Sequence, residues 1–356
     1  MSELQGLFNA DGKLAIIANV GTLIEPTTAA QYLNGTAKLP AQLFSHLDQQ
    51  VEWQTGLSSA SAATGWGGRL ADLLTSFNNV ETISMSISLA GTNSFQVGNR
   101  VFEFQVSPNG AIGLTGFGGR NGQMRYQAVQ DLLDLPHQNL FEAEFAKITN
   151  RAIKNNALLT SGLAGVTVQT RFPANSTLSD QLRMIAKIIA ARQVLGMRRQ
   201  IFFCSVNGYD THSNELQTQT NLLSELSECM SAFYQATKEL DISDRVTLFT
   251  ASDFGRTFQS NGSGADHAWG SHAFVLGGSV RGGRIYGAYP TLALRGPDDI
   301  GEGRWVPTTS VDQYSATLAK WFGISSQTDL TTVLPNIGRF ATSDIGFLNQ
   351  LPAPGP

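Results

Sequence analysis

Six residues with the chemistry of metal ligands crowd the second half of this chain. Asp210 and His212 stand in Gly208-Tyr-Asp-Thr-His-Ser213. Asp253 stands in Ser252-Asp-Phe-Gly-Arg-Thr257, and Asp266, His267 and His272 stand in Asp266-His-Ala-Trp-Gly-Ser-His272. Three of the chain's five histidines fall between Arg199 and Pro290. Taken singly, each is a weak signal: an Asp after a strand commonly caps a turn, and a His in a Gly-rich loop is commonly solvated. Carboxylates and imidazoles converging on one crevice have the composition of a divalent-metal site. The mixture suits Zn²⁺ or Mn²⁺, and Mg²⁺ or Ca²⁺ less well as the imidazole share rises. An ion held there can polarise a phosphoryl or sulfuryl oxygen and acidify a bound water or alcohol.

Convergence requires elements that bring these loops together. Ile201 to Val206 and Val246 to Thr250 are short, bounded apolar runs, predicted to be strands buried on both faces. Between them Leu216, Leu223, Leu226, Met230, Phe233 and Leu240 recur at helical steps, with Ser213 or Asn214 available as the N-cap. Strand, helix and strand of this length predict a right-handed βαβ unit with its two strands parallel. Asp210, His212 and Asp253 would then emerge at the carboxyl ends of neighbouring strands, where open α/β sheets bind ligands. Asp266, His267 and His272 follow in a Gly-rich loop, ahead of a third apolar run, Ala273 to Leu276. Arg256 has two open readings: a fork for an anionic group, or a partner for a nearby carboxylate.

The whole chain, at 356 residues and 42% hydrophobic, can bury a sizeable core. Its net charge of −4, with no basic run interleaved with aromatics, argues against a nucleic-acid partner. No apolar stretch approaches the ~18 residues that would suggest a transmembrane segment. Cys204 and Cys229, on a strand and a helix, read as small core residues. Leu14 to Val20 predicts a strand, Leu43 to Gln50 the entry to a helix, and Gly65 to Leu74 another helix, with Trp66 packed and Arg69 at the surface or facing an anion. From about Glu81 to Gly122 the texture changes. Ile83 to Leu89 alternates as a half-exposed strand does, and glycines suggest hairpins, so residues 81–122 read as a β-rich insertion or cap on one large domain. Helices are predicted over Gln127–Leu133, Phe141–Asn155, Thr177–Leu195 (with Thr177-Leu-Ser-Asp180 as a capping box) and Val311–Phe322. The Pro-rich tail Leu351–Pro356 reads as loose.

The motifs around Asp210, Asp253 and Asp266, together with Gly277-Gly-Ser-Val-Arg-Gly-Gly283, Leu14-Ala-Ile-Ile-Ala-Asn-Val-Gly-Thr22, Leu43-Phe-Ser-His-Leu-Asp-Gln-Gln50 and Val306-Pro-Thr-Thr-Ser-Val-Asp-Gln313, resemble the bacterial family catalogued as domain of unknown function 1501. That family resembles the alkaline phosphatase and sulfatase superfamily. The resemblance implies an α/β fold, a mostly parallel sheet between helices, and a metal-dependent hydrolase acting on a small anionic phosphate or sulfate ester. It places Ser45 at the superfamily's nucleophile position, at a helix start where an anion is favoured; an N-cap serine is the other reading of the same residue. His46 and Asp48 would line that site. Asp210, His212, Asp253 and His272 or His267 would divide the metal subsites. Asp253-Phe-Gly255 departs from the superfamily's Asp-His-Gly, and because Phe254 cannot ligate, the resemblance implies either that one metal subsite is lost or that Asp266 and His267 compensate. Family members open with an export signal and a strand ending in an aspartate-bearing Gly-rich motif. Neither is matched here, so the resemblance implies an exported protein when full length and an N-terminally truncated chain here. The remaining alternative is a non-catalytic protein that binds a metal or an anion as an accessory factor.

Overall fold

The computed structural model describes residues 1–57, 63–78 and 83–349. The tail Leu351–Pro356 and the start of the 81–122 segment lie outside the described residues. Strands β1 (Leu14–Gly21), β2 (Ser86–Ser88), β3 (Phe104–Ser107), β4 (Gly110–Ala111), β5 (Ile201–Phe203), β6 (Thr247–Phe249), β7 (Ser271–Gly277), β8 (Arg284–Tyr286) and β9 (Thr309–Ser310) form two sheets. Helices α1 (Ser2–Asn9), α2 (Ala29–Leu33), α3 (His46–Thr55), α4 (Trp66–Leu74), α5 (Gly122–Leu133), α6 (Leu140–Leu163), α7 (Thr177–Ala190), α8 (Glu215–Glu239), α9 (Val311–Phe322) and α10 (Gln327–Val333) pack around them.

The class is mixed α/β, as expected, but the sheets are mixed rather than mostly parallel. In the five-stranded sheet the order is β6-β7-β1-β8, with β9 also pairing with β1. β7 runs antiparallel to both β6 and β1, because Ser271–Gly277 follows β6 through a loop that simply returns along the same edge. The second sheet has the order β4-β3-β2-β5. The predicted βαβ unit is therefore corrected. Its helix is present as α8, but β5 and β6 are edge strands of different sheets and do not pair with each other. Their carboxyl ends still point the same way, since the loops that follow both reach His46.

The half-exposed reading of Ile83–Leu89 is also corrected. β2 is not half-exposed: Ser86 and Ser88 are as fully buried as Ile87. Serine on both sides of an apolar residue mimics the alternation of a one-sided strand, but small side chains tolerate burial. β2, β3 and β4 lie side by side in the four-stranded sheet that β5 completes.

Two apolar layers hold the sheets. Trp66 and Leu70 of α4, Tyr314 and Leu318 of α9 and Leu330 of α10 pack with Ile17, Val20 and Val275 on one face. Leu182, Ile185 and Ile189 of α7 and Cys229 and Phe233 of α8 pack with Ile87 on the other. Each such side chain contributes about 1.5–3 kcal/mol by leaving water. α8 begins at Glu215 with Leu216 exposed, so its apolar face starts only at the second turn. The cap of α7 is Ser176, whose hydroxyl accepts from Ser179 N–H, one residue before the predicted box. Arg69 is not at the surface; it is buried and donates to the carbonyls of Thr55, Thr64 and Val333.

Candidate metal centre

The site forms where three segments meet. The loop after β5 supplies Asp210 and His212, the loop between β6 and β7 supplies Asp253, Asp266 and His267, and the start of α3 supplies His46. Donor atoms of His46, Asp210 and His267 all lie within 4.8 Å of one another. Asp210 is the hub. Its Oδ2 is 3.3 Å from His46 Nε2, and its Oδ1 is 3.0 Å from His212 Nε2 and 3.2 Å from His267 Nε2. His212 Nε2 is also 3.0 Å from His267 Nε2.

The outer nitrogen of each ring is already committed. His267 Nδ1 donates to Phe44 O at 2.8 Å. His46 Nδ1 faces Asp253 Oδ2 at 2.6 Å, and His212 Nδ1 faces Asp266 Oδ1 at 3.0 Å. A carbonyl or carboxylate oxygen only accepts, so a proton on Nδ1 satisfies each outer partner. The Nε2 atoms face Asp210 oxygens, a contact that only a cation or a second ring proton reconciles. Metal-bound histidines are oriented by such outer acceptors. Asp253 and Asp266, expected as ligands, thus stand behind the imidazoles and orient them.

Local structure explains the convergence. The 257–266 loop is stitched to the segment after β5: Ala265 N–H donates to Thr211 O, Glu215 N–H to Ser263 O, and Asn261 Nδ2 to His212 O. Gly264 permits this contact, because a Cβ there would lie 2.3 Å from Thr211 O. At α3, Gln42 and Phe44 hold φ of 47° and 71°, a left-handed region costly for an aromatic residue. That turn aims Phe44 O at His267. Ala41 N–H donates to Glu52 Oε1, and Gln49 Nε2 donates to Ala41 O, which ties the turn back to its helix. Phe254 cannot ligate, and it is buried against the rings of His46 and His267 at 4.7 and 4.5 Å, forming an apolar wall behind both.

Burial pushes the Asp210 carboxyl up, but Arg256, His212 and His267 outweigh it and hold the group below its ordinary value. Of the two readings of Arg256, the geometry gives pairing: its fork donates to Asp210 and to Ala265 O. Hydrogen bonds from His212 and Asn261 hold the Asp266 carboxyl low as well. Ser45 is the N-cap residue of α3, yet its hydroxyl donates to Asp48 Oδ2 at 2.6 Å instead of capping a backbone amide.

His272 is the correction to the ligand set. Its Nδ1 accepts from Asn19 N–H at 3.0 Å, its ring stacks on Tyr289 at 4.9 Å, and burial holds its pKa down. It sits on β7 and faces the β1 bulge, whereas the cluster lies at the β6 and β5 ends. Sequence reasoning placed His46 only at the lining of the site, because a histidine next to a cap residue is an ordinary structural feature. The left-handed turn that presents it has no signature in the residue types.

Two imidazole nitrogens and one carboxylate oxygen, from His46, His267 and Asp210, would fit a divalent ion such as Zn²⁺ by donor type, with His212 beside Asp210. Among the described residues, no helix is long and apolar enough to cross a membrane. A family profile described as a protein of unknown function (DUF1501) matches residues 3–329. No curated protein and no solved structure matches the chain.

Proposed function

Because the chain belongs to that family, DUF1501, whose description assigns no reaction, we propose from the site itself a metal-dependent hydrolase of phosphate or sulfate esters, built on His46, Asp210, His212 and His267. The observation that carries this reading is the inward convergence of three Nε2 atoms on Asp210, with every Nδ1 held from behind. A divalent ion there supplies Lewis acidity toward an ester oxygen. The start of α3 supports an anionic substrate, since Ser45 leaves the first-turn amides without a side-chain cap and the helix dipole favours negative charge. Ser45 Oγ is the nucleophile in this scheme and Asp48 the acceptor of its proton, a pair already within hydrogen-bond reach. The wall made by Phe254 excludes water from the rear of two imidazoles.

The experiment is to load the protein with Zn²⁺ or Mn²⁺, count bound metal, and assay aryl phosphate and aryl sulfate cleavage in wild type, Ser45→Ala and His267→Ala. The expected result is stoichiometric metal in wild type and Ser45→Ala, loss of metal in His267→Ala, and loss of cleavage in both variants. Failure to bind metal would sink the reading. One feature favours an accessory role instead: Arg256 occupies Asp210 Oδ1 and weakens it as a ligand. Metal bound without ester cleavage would select that role.

A further inference from the structure

Residues 112–151 form an arm that the body barely covers. Among them only Gly122 and Ala146 are buried. The arm holds α5, the turn after it and the first half of α6. The two helices pack on each other, and Asn150 Nδ2 donates to Asp134 Oδ1 at 3.2 Å. The arm leaves the body at β4, the edge strand at the opposite end of its sheet from β5, so a further strand beside β5 would leave it bare. Polar side chains suit such an arm. Instead Phe141 is 84% exposed, Phe145 68% and Ile148 48%, and Met124, Leu132 and Leu135 are each more than half exposed.

On α6 the apolar residues form a stripe. Phe141, Phe145, Ile148 and Ala152 follow at steps of four, three and four, so they share one helical face. Two turns further along, the same face carries Leu159, which is buried with Leu195 in the body. The stripe therefore begins as core and continues outward uncovered. Its spacing is that of the seam between two coiled helices. The flank of the seam carries charges that complete one another in one orientation. Glu144 and Arg151 stand seven residues apart on the same side of it. In an antiparallel pair of α6 helices about a two-fold axis, Phe145 lies opposite the partner's Ile148 and Phe141 opposite the partner's Ala152. Glu144 then faces the partner's Arg151, and the axis repeats that contact in reverse. A parallel pair would set Glu144 beside the partner's Thr149 instead.

We propose that this arm is a dimerisation element, whose occupant is the α6 of a second copy of this chain, laid antiparallel across the first. The area agrees. A wholly exposed aromatic side chain offers about 150–250 Å², so Phe141 and Phe145 alone contribute roughly 300 Å². With Ile148 and the exposed apolar residues of α5, the arm approaches the ~800 Å² per partner that a stable interface buries. A membrane surface is the poorer fit. Helices that lie on one are basic along the polar face, whereas Glu142 and Glu144 here balance Lys147 and Arg151.

The test measures self-association of the full chain by sedimentation velocity over a concentration series. It compares wild type, Phe145→Glu, Glu144→Arg, Arg151→Glu and the double variant Glu144→Arg/Arg151→Glu. All three positions are exposed, so far-UV circular dichroism should match wild type in every case. Wild type is expected to form a reversible dimer. Phe145→Glu should weaken it about a hundredfold or more, and each single charge reversal about tenfold, while the double variant should recover to within about threefold of wild type. A wild type that stays monomeric up to about 100 μM would overturn the proposal. So would a dimer indifferent to Phe145→Glu, or a double variant no tighter than the single ones, which would exclude the antiparallel pairing. Monomers that instead float with phosphatidylglycerol vesicles, and cease to do so in Phe145→Glu, would make the stripe a membrane anchor and overturn it as well.

Discussion

His212 Nε2 and His267 Nε2 face each other at 3.0 Å, and neither has a proton to share while its Nδ1 hydrogen goes outward, to Asp266 and to Phe44 O. Two lone pairs at that distance repel unless a cation lies between them and Asp210. Protonating the rings relieves the repulsion, and so does a metal ion. The two solutions are separable by measurement. Zn²⁺ or Mn²⁺ is expected to bind with release of protons, seen as a calorimetric enthalpy that depends on buffer ionisation. His46→Ala and His267→Ala are each expected to abolish stoichiometric binding, and His272→Ala to leave it intact. Loss of metal in His272→Ala would show that the site lies elsewhere.

The orienting carboxylates should matter less than the ligands, but measurably. Asp253→Asn and Asp266→Asn keep shape and remove the charge that fixes each Nδ1 proton. Each is expected to weaken metal affinity about 10–100-fold without changing stoichiometry, as loss of an outer partner does elsewhere. Equilibrium competition against a chromogenic chelator gives that ratio directly. No change in affinity for either variant would mean that the carboxylates are bystanders.

Gly264 tests whether loop packing sets the geometry. Alanine there places a Cβ 2.3 Å from Thr211 O and 2.4 Å from the carbonyl carbon of His212, which must move His212 off Asp266. The expectation is a loss of metal affinity of about tenfold or more, larger than any accompanying loss of stability explains. A large drop in stability with unchanged affinity would place the role of Gly264 in folding alone.

The sequence made much of this legible, and the failures have physical reasons. Long periodic or bounded runs read well: Leu14–Gly21 and Val311–Phe322 form the elements their patterns predict. Asp210, His212, Asp266 and His267 come together because separate loops each follow a strand that ends at the same rim. What periodicity does not encode is partner choice. Nothing in Ile201–Phe203 or Thr247–Phe249 states which strand lies alongside, so two edges were read as neighbours. His272 was grouped with the ligands by proximity in the chain, although its strand turns it toward Asn19. Phe44 entered the site through its carbonyl, a group every residue carries, and no side-chain pattern could single it out.

Arg69 is the clearest buried charge away from the site. Its guanidinium holds Val333 O at 2.7 Å and Thr64 O at 2.6 Å as well as Thr55 O, joining α3, α4 and α10. Burial pushes its pKa down to about 10, which still leaves it charged at neutral pH. Arg69→Met fills the space and abandons three carbonyls, so a loss of about 3 kcal/mol or more in urea unfolding is expected. A loss below about 1 kcal/mol would show that water reaches those carbonyls.

Asp312 gives the pH dependence of stability its sign. The residue is 3% exposed at the start of α9, and its Oδ1 has no partner among the described residues. Burial pushes its carboxyl from 3.8 up to about 7, with Arg339 and Arg69 only partly opposing the shift. Between those values the folded chain holds a proton that the unfolded chain has released. Stability is therefore greatest at the acid end of the window, falls as pH rises by up to about 1.4 kcal/mol per pH unit, and levels off above about 7. Glu52, raised by burial from 4.5 to about 7, adds a slope of the same sign. Asp312→Asn keeps the shape and cannot ionise, so its melting temperature should fall less steeply across that window than the wild type's and should exceed it at about pH 8. The slope that remains in the variant belongs to Glu52, and Glu52→Gln should reduce it further. Parallel curves for wild type and Asp312→Asn would show that Arg69 and Arg339 neutralise the carboxylate in the fold, leaving no proton to lose.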